Sequence, residues 1–418
     1  MTSTSLPLPA DTPVARPVDR SAEYLLVGQI VAATLLQKVA INLTADVQLF
    51  LGFLILAALT GLGIAFGKLE LRPVRCIFYM AAMAVMGFVQ LFHMDDFSLP
   101  SLIMLMLVHL PYVFGLRPGL ARPGIELELY VRVMAAFALL GIIQYFAQYA
   151  VGVPLAFPME YYFPESLHVT GFNSLNAIKY GADHYKSTGV FFLEPAIFCQ
   201  FLSLAVVIDL IYFRNWKRLA LLATAIAVTF SGTGLIMIFL LLPFFMIEQK
   251  KYVSLLVFGV VIVSSPLWAP AVGLGSFVSR VSEFSNPNSS GFARFISMFF
   301  VLRDFVAPYP DNLLFGIGAG SIGATIPRQV DYANFDPTWG KIIYEYGVFA
   351  AMAYFAFLAA LFSSARRSRY LKAALLIQFL VLGGYIIPPT IHGLIVALIA
   401  WPEAKLIPRY GEAKEASV

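Results

Sequence analysis

The fold turns on one stretch, "RLALLATAIAVTFSGTGLIMIFLLLPFFMI", residues 218–247. It is apolar almost throughout, with a small polar tetrad, 231–234, near its centre. A single helix of that length overshoots a hydrocarbon core of about 30 Å, because each residue rises about 1.5 Å. Two helices meeting at the tetrad reach only roughly 18–21 Å each. A second run, "LKAALLIQFLVLGGYIIPPTIHGLIVALIAW" (371–401), poses the same choice at 384–389. Charge decides between them. With both runs split, the chain crosses twelve times and both termini fall on one side. The loops holding Lys68, Arg72 and Arg75; Arg117, Arg122 and Arg132; Arg214, Lys217 and Arg218; Lys250 and Lys251; and Arg366, Arg367, Arg369 and Lys372 then join the N-terminal tail. Once Lys38 and seven basic residues of the outer segments are set aside, 20 of the 28 Lys and Arg lie on that side. This is the bias of a cytosolic face. Unsplit runs would put "EQKK" (248–251) and "ARRSR" (365–369) outside.

Composition agrees with a polytopic, all-α membrane protein. The 418 residues are 60% hydrophobic and 12% charged, against roughly 25% charged in a soluble domain. The other apolar spans lie near 24–43, 47–66, 74–92, 100–116, 129–150, 194–213, 252–271 and 341–362. Residues 1–20 read as a cytosolic tail, 21–402 as the transmembrane domain and 403–418 as a second cytosolic tail. Cys76 and Cys199 both sit in apolar runs, so no disulfide framework or metal cluster is expected. Helices too short to span leave broken backbone at depth, tolerated where it is buried in protein or lines a wet cavity. The expectation is a hydrated depression over 231–234, open to the outside.

Two long segments, 151–190 and 272–340, fall on the outer face. Their basic residues are Lys179, Lys186, Arg280, Arg294, Arg303, Arg328 and Lys341. Arg294 stands out in "SGFARFISMFFVL", where it offers a planar fork of donors to an anionic group at the membrane surface. Glu194 and Pro195 open the helix over 194–213; the carboxylate either complements the helix N-terminus or serves the chemistry of an outer cavity. "GAGSIG" (318–323) matches a dinucleotide fingerprint but lacks the strand–helix unit that gives it meaning. "HMDD" (93–96) reads as a solvated loop, and His392 as a hydrogen bond between helices.

The order of motifs resembles the Wzy-type O-antigen polymerase and O-antigen ligase superfamily of bacterial inner-membrane glycan enzymes. "KSTGVFFLEPAIFCQFL" (186–202) is similar to its charged helix start, and "TFSGTGLIMIFL" (229–240) to its Ser/Gly break. "GFARFISMFFVLRDFVAPYPDNLLFGIGAGSI" (291–322) resembles its Arg and Gly-repeat block. "DPTWGKIIYEYGVFAAMAY" (336–354) looks like the start of its next helix. The spacing of Arg280 and Gly291 fits the loose R-x10-G pattern of the polymerases. The likeness covers about half the chain, 186–389.

The resemblance implies a GT-C-like helical glycosyltransferase that needs neither metal nor cofactor. Such an enzyme moves a glycan from an undecaprenyl-diphosphate carrier to an acceptor hydroxyl at the periplasmic face. It implies a multi-pass protein of the bacterial inner membrane, with the bilayer, a chain-length regulator and a flippase as partners, and no nucleic acid. Arg294, Lys186 and Arg280 fall on diphosphate-binding positions, with Lys186 standing where the family usually has Arg. Asp336 falls where ligases have His, which favours a polymerase over a ligase. Glu194, Asp336 and Glu345 are the candidates for the general base. A ligase acting on lipid A core or protein is the nearest alternative. A twelve-helix solute transporter is the alternative from another class, and it predicts midplane charges and short outer loops.

Overall fold

The computed structural model of the chain describes residues 19–42, 48–93, 97–178, 181–268, 284–287 and 289–403. Helix dominates. The principal helices are α1 (Arg20–Leu35), α2 (Leu51–Ala65), α3 (Pro73–Val89), α4 (Leu99–His109), α5 (Ile125–Ala150) and α6 (Pro195–Ile208). They continue with α7 (Trp216–Val228), α8 (Thr233–Glu248), α9 (Tyr252–Trp268), α10 (Thr338–Ser364), α11 (Arg369–Leu380) and α12 (Pro389–Ile395). Both ambiguous runs are therefore broken, at 229–232 and at 381–388. Four helical stretches are long and apolar enough to cross a bilayer: Pro73–Phe92, Ile125–Ala150, Pro195–Phe213 and Thr338–Ser364. The remaining apolar helices are shorter, so the structure supports a helical membrane protein without setting the number of crossings at twelve.

Local chemistry starts these helices where they start. Pro195 and Pro73 occupy the first turn, where the missing N–H costs nothing and φ is already helical. Asn215 caps α7 by accepting from Arg218 N, and Ser98 caps α4 by accepting from Ser101 N. Helix α6 runs through the centre of the bundle, against α5, α7, α8 and α11. Its Phe198, Phe201, Leu202 and Leu204 are wholly buried. Helix α10 packs along α3, and α1 packs against α2 and α12.

The bundle has two distinct ends. One gathers the loops that the charge reading placed with the N-terminal tail. There β3 (Leu69–Leu71) pairs antiparallel with β4 (Phe114–Leu116). Asp19 is ion-paired with Lys68, and Arg72 is paired with Glu70 at 2.8 Å and with Glu403. Arg367 is buried against Glu126. The other end gathers the outer segments. There β1 (Ala40–Asn42) pairs with β2 (Gln48–Phe50), and Val39 bridges to His168. Buried Lys38 joins Glu160 and donates to Val190 O at 2.7 Å.

The described parts of the outer segments are folded. Residues 151–190 form short helices Val153–Ala156 and Pro158–Tyr161 and a 3-10 turn, Glu165–Leu167. The second segment builds Ser290–Phe295, Ser297–Val301, Pro310–Phe315 and Ser321–Gln329. These bury a small core of Met298, Val301, Val306, Ile322 and Ile326 with Tyr344 of α10. The Gly-rich 318–323 stretch is a turn at 318–320 that leads into the helix Ser321–Gln329 and docks beside the ends of α3 and α4: Ala319 N donates to Gln90 Oε1 at 2.7 Å, and Ser98 N to Ala319 O at 2.7 Å.

Two glycines bring backbones into contact. Gly347 interrupts α10 with φ 73° and ψ 177°. The interruption frees the carbonyls of Tyr344 and Glu345, which accept from Ile317 N at 2.9 Å and Gly318 N at 3.1 Å. A Cβ on Gly347 would lie 2.3 Å from Leu314 O. Gly234 corrects an expectation. A Cβ there would lie 2.3 Å from Cys199 O, so α8 sits directly on the α6 backbone. Ser231 and Thr233 are buried. The expected depression over 231–234 is closed packing, with Gly234 inside the first turn of α8, and a cavity lies instead at the second break.

Candidate functional site

The cavity at the end away from the basic loops has a volume of about 200 Å³ and takes its walls from five parts of the chain, one of them Gly171 and Phe172 of the 151–190 segment. Glu194 and Ile197 come from the start of α6, Arg294 from the helix Ser290–Phe295, Phe335 and Asp336 from the approach to α10, and Leu382–Tyr385 with Pro388 from the α11–α12 break. Residues 100 or more positions apart thus meet around one space.

Glu194 settles the question its position posed. Its backbone is the N-cap of α6, but its side chain makes no capping hydrogen bond. Its Oε2 accepts from Arg294 Nη2 at 2.8 Å and its Oε1 from Asn173 N at 3.2 Å. Helix capping does not explain this carboxylate. Arg294 also lies over the Phe335 ring, 5.0 Å from its centroid, an arrangement that orients the guanidinium and leaves its edge free to donate. Both side chains of the pair are only slightly exposed, 11% for Glu194 and 13% for Arg294.

Asp336 is the second carboxylate on the cavity. Lys341 Nζ reaches its Oδ2 at 3.1 Å and lies 3.6 Å from Glu345 Oε1. Glu345 is 1% exposed and does not line the cavity. It stands behind Lys341, and Lys341 stands behind Asp336. In this geometry Glu345 supports a charge and has no access to a substrate in the cavity.

The cavity floor at 382–388 is irregular backbone, and its polar groups have named partners. Gln200 Nε2 donates to Leu382 O at 3.1 Å, and Tyr385 OH donates to Gln200 Oε1 at 2.6 Å. Thr338 N donates to Gly383 O at 3.1 Å, and Tyr385 N to Thr338 Oγ1 at 2.9 Å. His392 Nε2 donates to Tyr385 O at 2.8 Å, which leaves Nδ1 to accept from Tyr112 OH at 2.7 Å. This is the interhelical role expected of His392. A Cβ on Gly384 would lie 2.6 Å from Asp336 O, so the glycine lets floor and wall touch.

The other charged candidates fall elsewhere. Lys186 does not line the cavity; its N–H donates to Asn176 O at 2.9 Å within the outer segment. The turn that follows it is a structural fastening. Gly189 and Val190 both have positive φ, and Gln144 Oε1 accepts from Thr188 N at 2.9 Å, Ser187 Oγ at 3.0 Å and Val190 N at 3.3 Å. Arg280 lies outside the described residues, as do Lys179 and 94–96 of the "HMDD" loop. Arg303 is exposed beside Asp304, and Arg328 is exposed.

Sequence reasoning missed Phe335, Gln200, Tyr385 and Lys341 as parts of this assembly. A glutamine inside an apolar helix and a Gly-Gly-Tyr before a Pro-Pro were the available signals. Chemically, among the described residues the cavity offers one guanidinium with spare donors, two carboxylates each held by a cation, and the aromatic rings of Phe172, Phe335 and Tyr385. That set suits an anionic group next to a hydroxyl-rich one. No protein-family profile matches the chain, and no curated protein matches it in sequence.

Proposed function

We propose that the protein is a glycan polymerase, transferring a chain from a polyprenyl diphosphate to an acceptor sugar hydroxyl on another lipid-linked repeat unit. The observation that carries this reading is the convergence of Glu194, Arg294 and Asp336 on one cavity, at the end of the bundle away from the basic loops. In this reading the basic end faces the cytosol and the cavity faces the periplasm, by the positive-inside bias. The chain then crosses the inner membrane twelve times in a GT-C-like bundle, with both termini cytosolic.

The chemistry asks little of the protein, because the diphosphate is already a good leaving group. Arg294 binds it and stabilises the charge that develops as the bond from the anomeric carbon to the diphosphate oxygen breaks. A carboxylate takes the acceptor proton as the new glycosidic bond forms, which is worth about 10²–10⁴-fold in rate. Among the described residues, Glu194 and Asp336 are the carboxylates that line the cavity. Phe335 and Tyr385 line the cavity as aromatic surface against which sugar rings pack.

The test is transfer by the purified protein in nanodiscs, supplied with a polyprenyl-diphosphate-linked repeat unit and resolved by product length. A ladder of lengthening products that survives chelator and collapses in Arg294→Ala supports the polymerase. Transfer only to an added lipid A core or protein acceptor makes it a ligase. Accumulation of a solute by proteoliposomes, with no transfer to any acceptor, overturns the enzyme reading.

A further inference from the structure

Arg294 and Glu194 face the same cavity and hold one another. Among the described residues, Arg294 makes one hydrogen bond to a side chain, the 2.8 Å bond from Nη2 to Glu194 Oε2, and its other donors have no partner. A guanidinium has five N–H donors, so most of its hydrogen-bonding capacity is unspent. The single bond it does make ties up a carboxylate that the chemistry could use. Asp336 differs. Its cation, Lys341, is backed by Glu345 from below and does not line the cavity.

We infer that Glu194 is the general base, and that the donor's diphosphate releases it by displacing it from Arg294. The inference rests on the diphosphate reading above. A diphosphate brings at least two negative charges and several acceptor oxygens, so it outcompetes a single carboxylate for the guanidinium. Glu194 keeps its bond from Asn173 N and so stays at the cavity wall. Its Oε2, no longer held by Arg294, is then open to accept the hydrogen bond of the acceptor hydroxyl. Asp336 keeps Lys341 and orients the acceptor.

The step balances. The acceptor O–H gives its proton to Glu194, and the oxygen forms a bond to the anomeric carbon. The bond from that carbon to the diphosphate oxygen breaks, and its electron pair leaves on the diphosphate held by Arg294. When the carrier departs, Glu194 returns its proton to water and pairs with Arg294 again. Donor therefore binds before acceptor, and a base without a donor is held idle.

Competition of this kind is measurable without turnover. The full chain in phosphatidylcholine nanodiscs, which keep anionic headgroups away, is titrated with inorganic diphosphate and with farnesyl diphosphate. Glu194→Gln preserves shape and the Asn173 bond but removes the competing charge, so both probes should bind at least about tenfold tighter than to the wild type, a gain of about 1.4 kcal/mol. Glu194→Asp should return affinity towards the wild type, and Arg294→Ala should abolish binding in every background. Asp336→Asn should raise affinity much less than Glu194→Gln. Equal or weaker binding by Glu194→Gln, with Arg294 still required, overturns the exchange. An equal gain from Asp336→Asn also overturns it, because a general field would then explain both. Binding that ignores Arg294 instead overturns the diphosphate reading beneath it.

Discussion

The two ends of the bundle use the same residue types in opposite ways. At the basic end, Arg75 spends its donors on Ser364 Oγ at 2.8 Å, Phe114 O at 3.3 Å and Ala400 O at 2.6 Å. Arg367 is buried with Glu126 and also donates to Leu398 O at 3.2 Å. Asp19, held by Lys68, keeps its carboxyl down at about 2. The space there is small, a pocket of about 30 Å³ between α5 and the chain after α12. At the other end, Arg294 makes one hydrogen bond among the described residues and faces a cavity of about 200 Å³. Charge therefore says little about role until its remaining donors are followed. An arginine bonded to several acceptors on other elements holds helices together, whereas one with spare donors on a cavity is able to take an anion.

The largest expected effect tests the first half of that contrast. Arg367→Ala leaves Glu126 buried without its cation, and removing one partner of a buried pair costs about 3–5 kcal/mol. The yield of folded protein and its melting temperature in detergent should fall together. A stable Arg367→Ala protein that has lost glycan transfer would break the comparison, because it would move function to the basic end.

Arg294→Ala tests the second half. Its partner Glu194 faces the cavity and is hydrated once released, so melting should shift little. Transfer should drop about 10²–10³-fold, the usual cost of losing one donor to a developing oxyanion. A large fall in melting temperature with turnover intact would make this pair a structural one like those at the basic end.

Gly347→Ala comes next. A residue with a side chain is strained at φ 73° and ψ 177°, by about 1–3 kcal/mol, and the new methyl would meet Leu314 O. The segment 310–320 should become more sensitive to protease, because it is docked through the carbonyls that this kink frees. An unchanged digestion pattern would show that the outer block is held elsewhere.

The smallest effect belongs to Arg132→Ala. Arg132 pairs with Glu128 one turn away on α5 and is 69% exposed. Such a pair is worth about 0.3–0.5 kcal/mol at most, so melting and transfer should both stay within error. A measurable loss would mean that this surface is covered by something.

The helical class and the position of each break were legible in the sequence because both depend on short-range properties. Runs of apolar residues make spans, prolines such as Pro195 and Pro389 begin helices, and Gly or Ser clusters end them. The grouping of basic loops at one end was also legible, since the rule that sorts them acts loop by loop along the chain. Of the site, Glu194 and Arg294 were visible as singular charges in apolar surroundings. Lys186 was visible as a basic residue of the 151–190 segment and by its place in the resemblance, yet it lies off the cavity, and Glu345 lies behind the cavity wall.

What the sequence determined by itself was an apolar helical chain, broken at two places and charged unequally at its two ends. Only the tertiary structure decided which break opens. At 231–234, Gly234 has no side chain to hold α8 off α6, so the backbones meet and the space closes. At 382–388 the chain leaves the helix, and Gln200, Thr338 and His392 hold it there by hydrogen bonds from three other elements. Hydrophobicity and charge add up along a chain and can be read from it. Whether two glycine-rich breaks become contact or cavity depends on what faces them, and that is settled by packing alone.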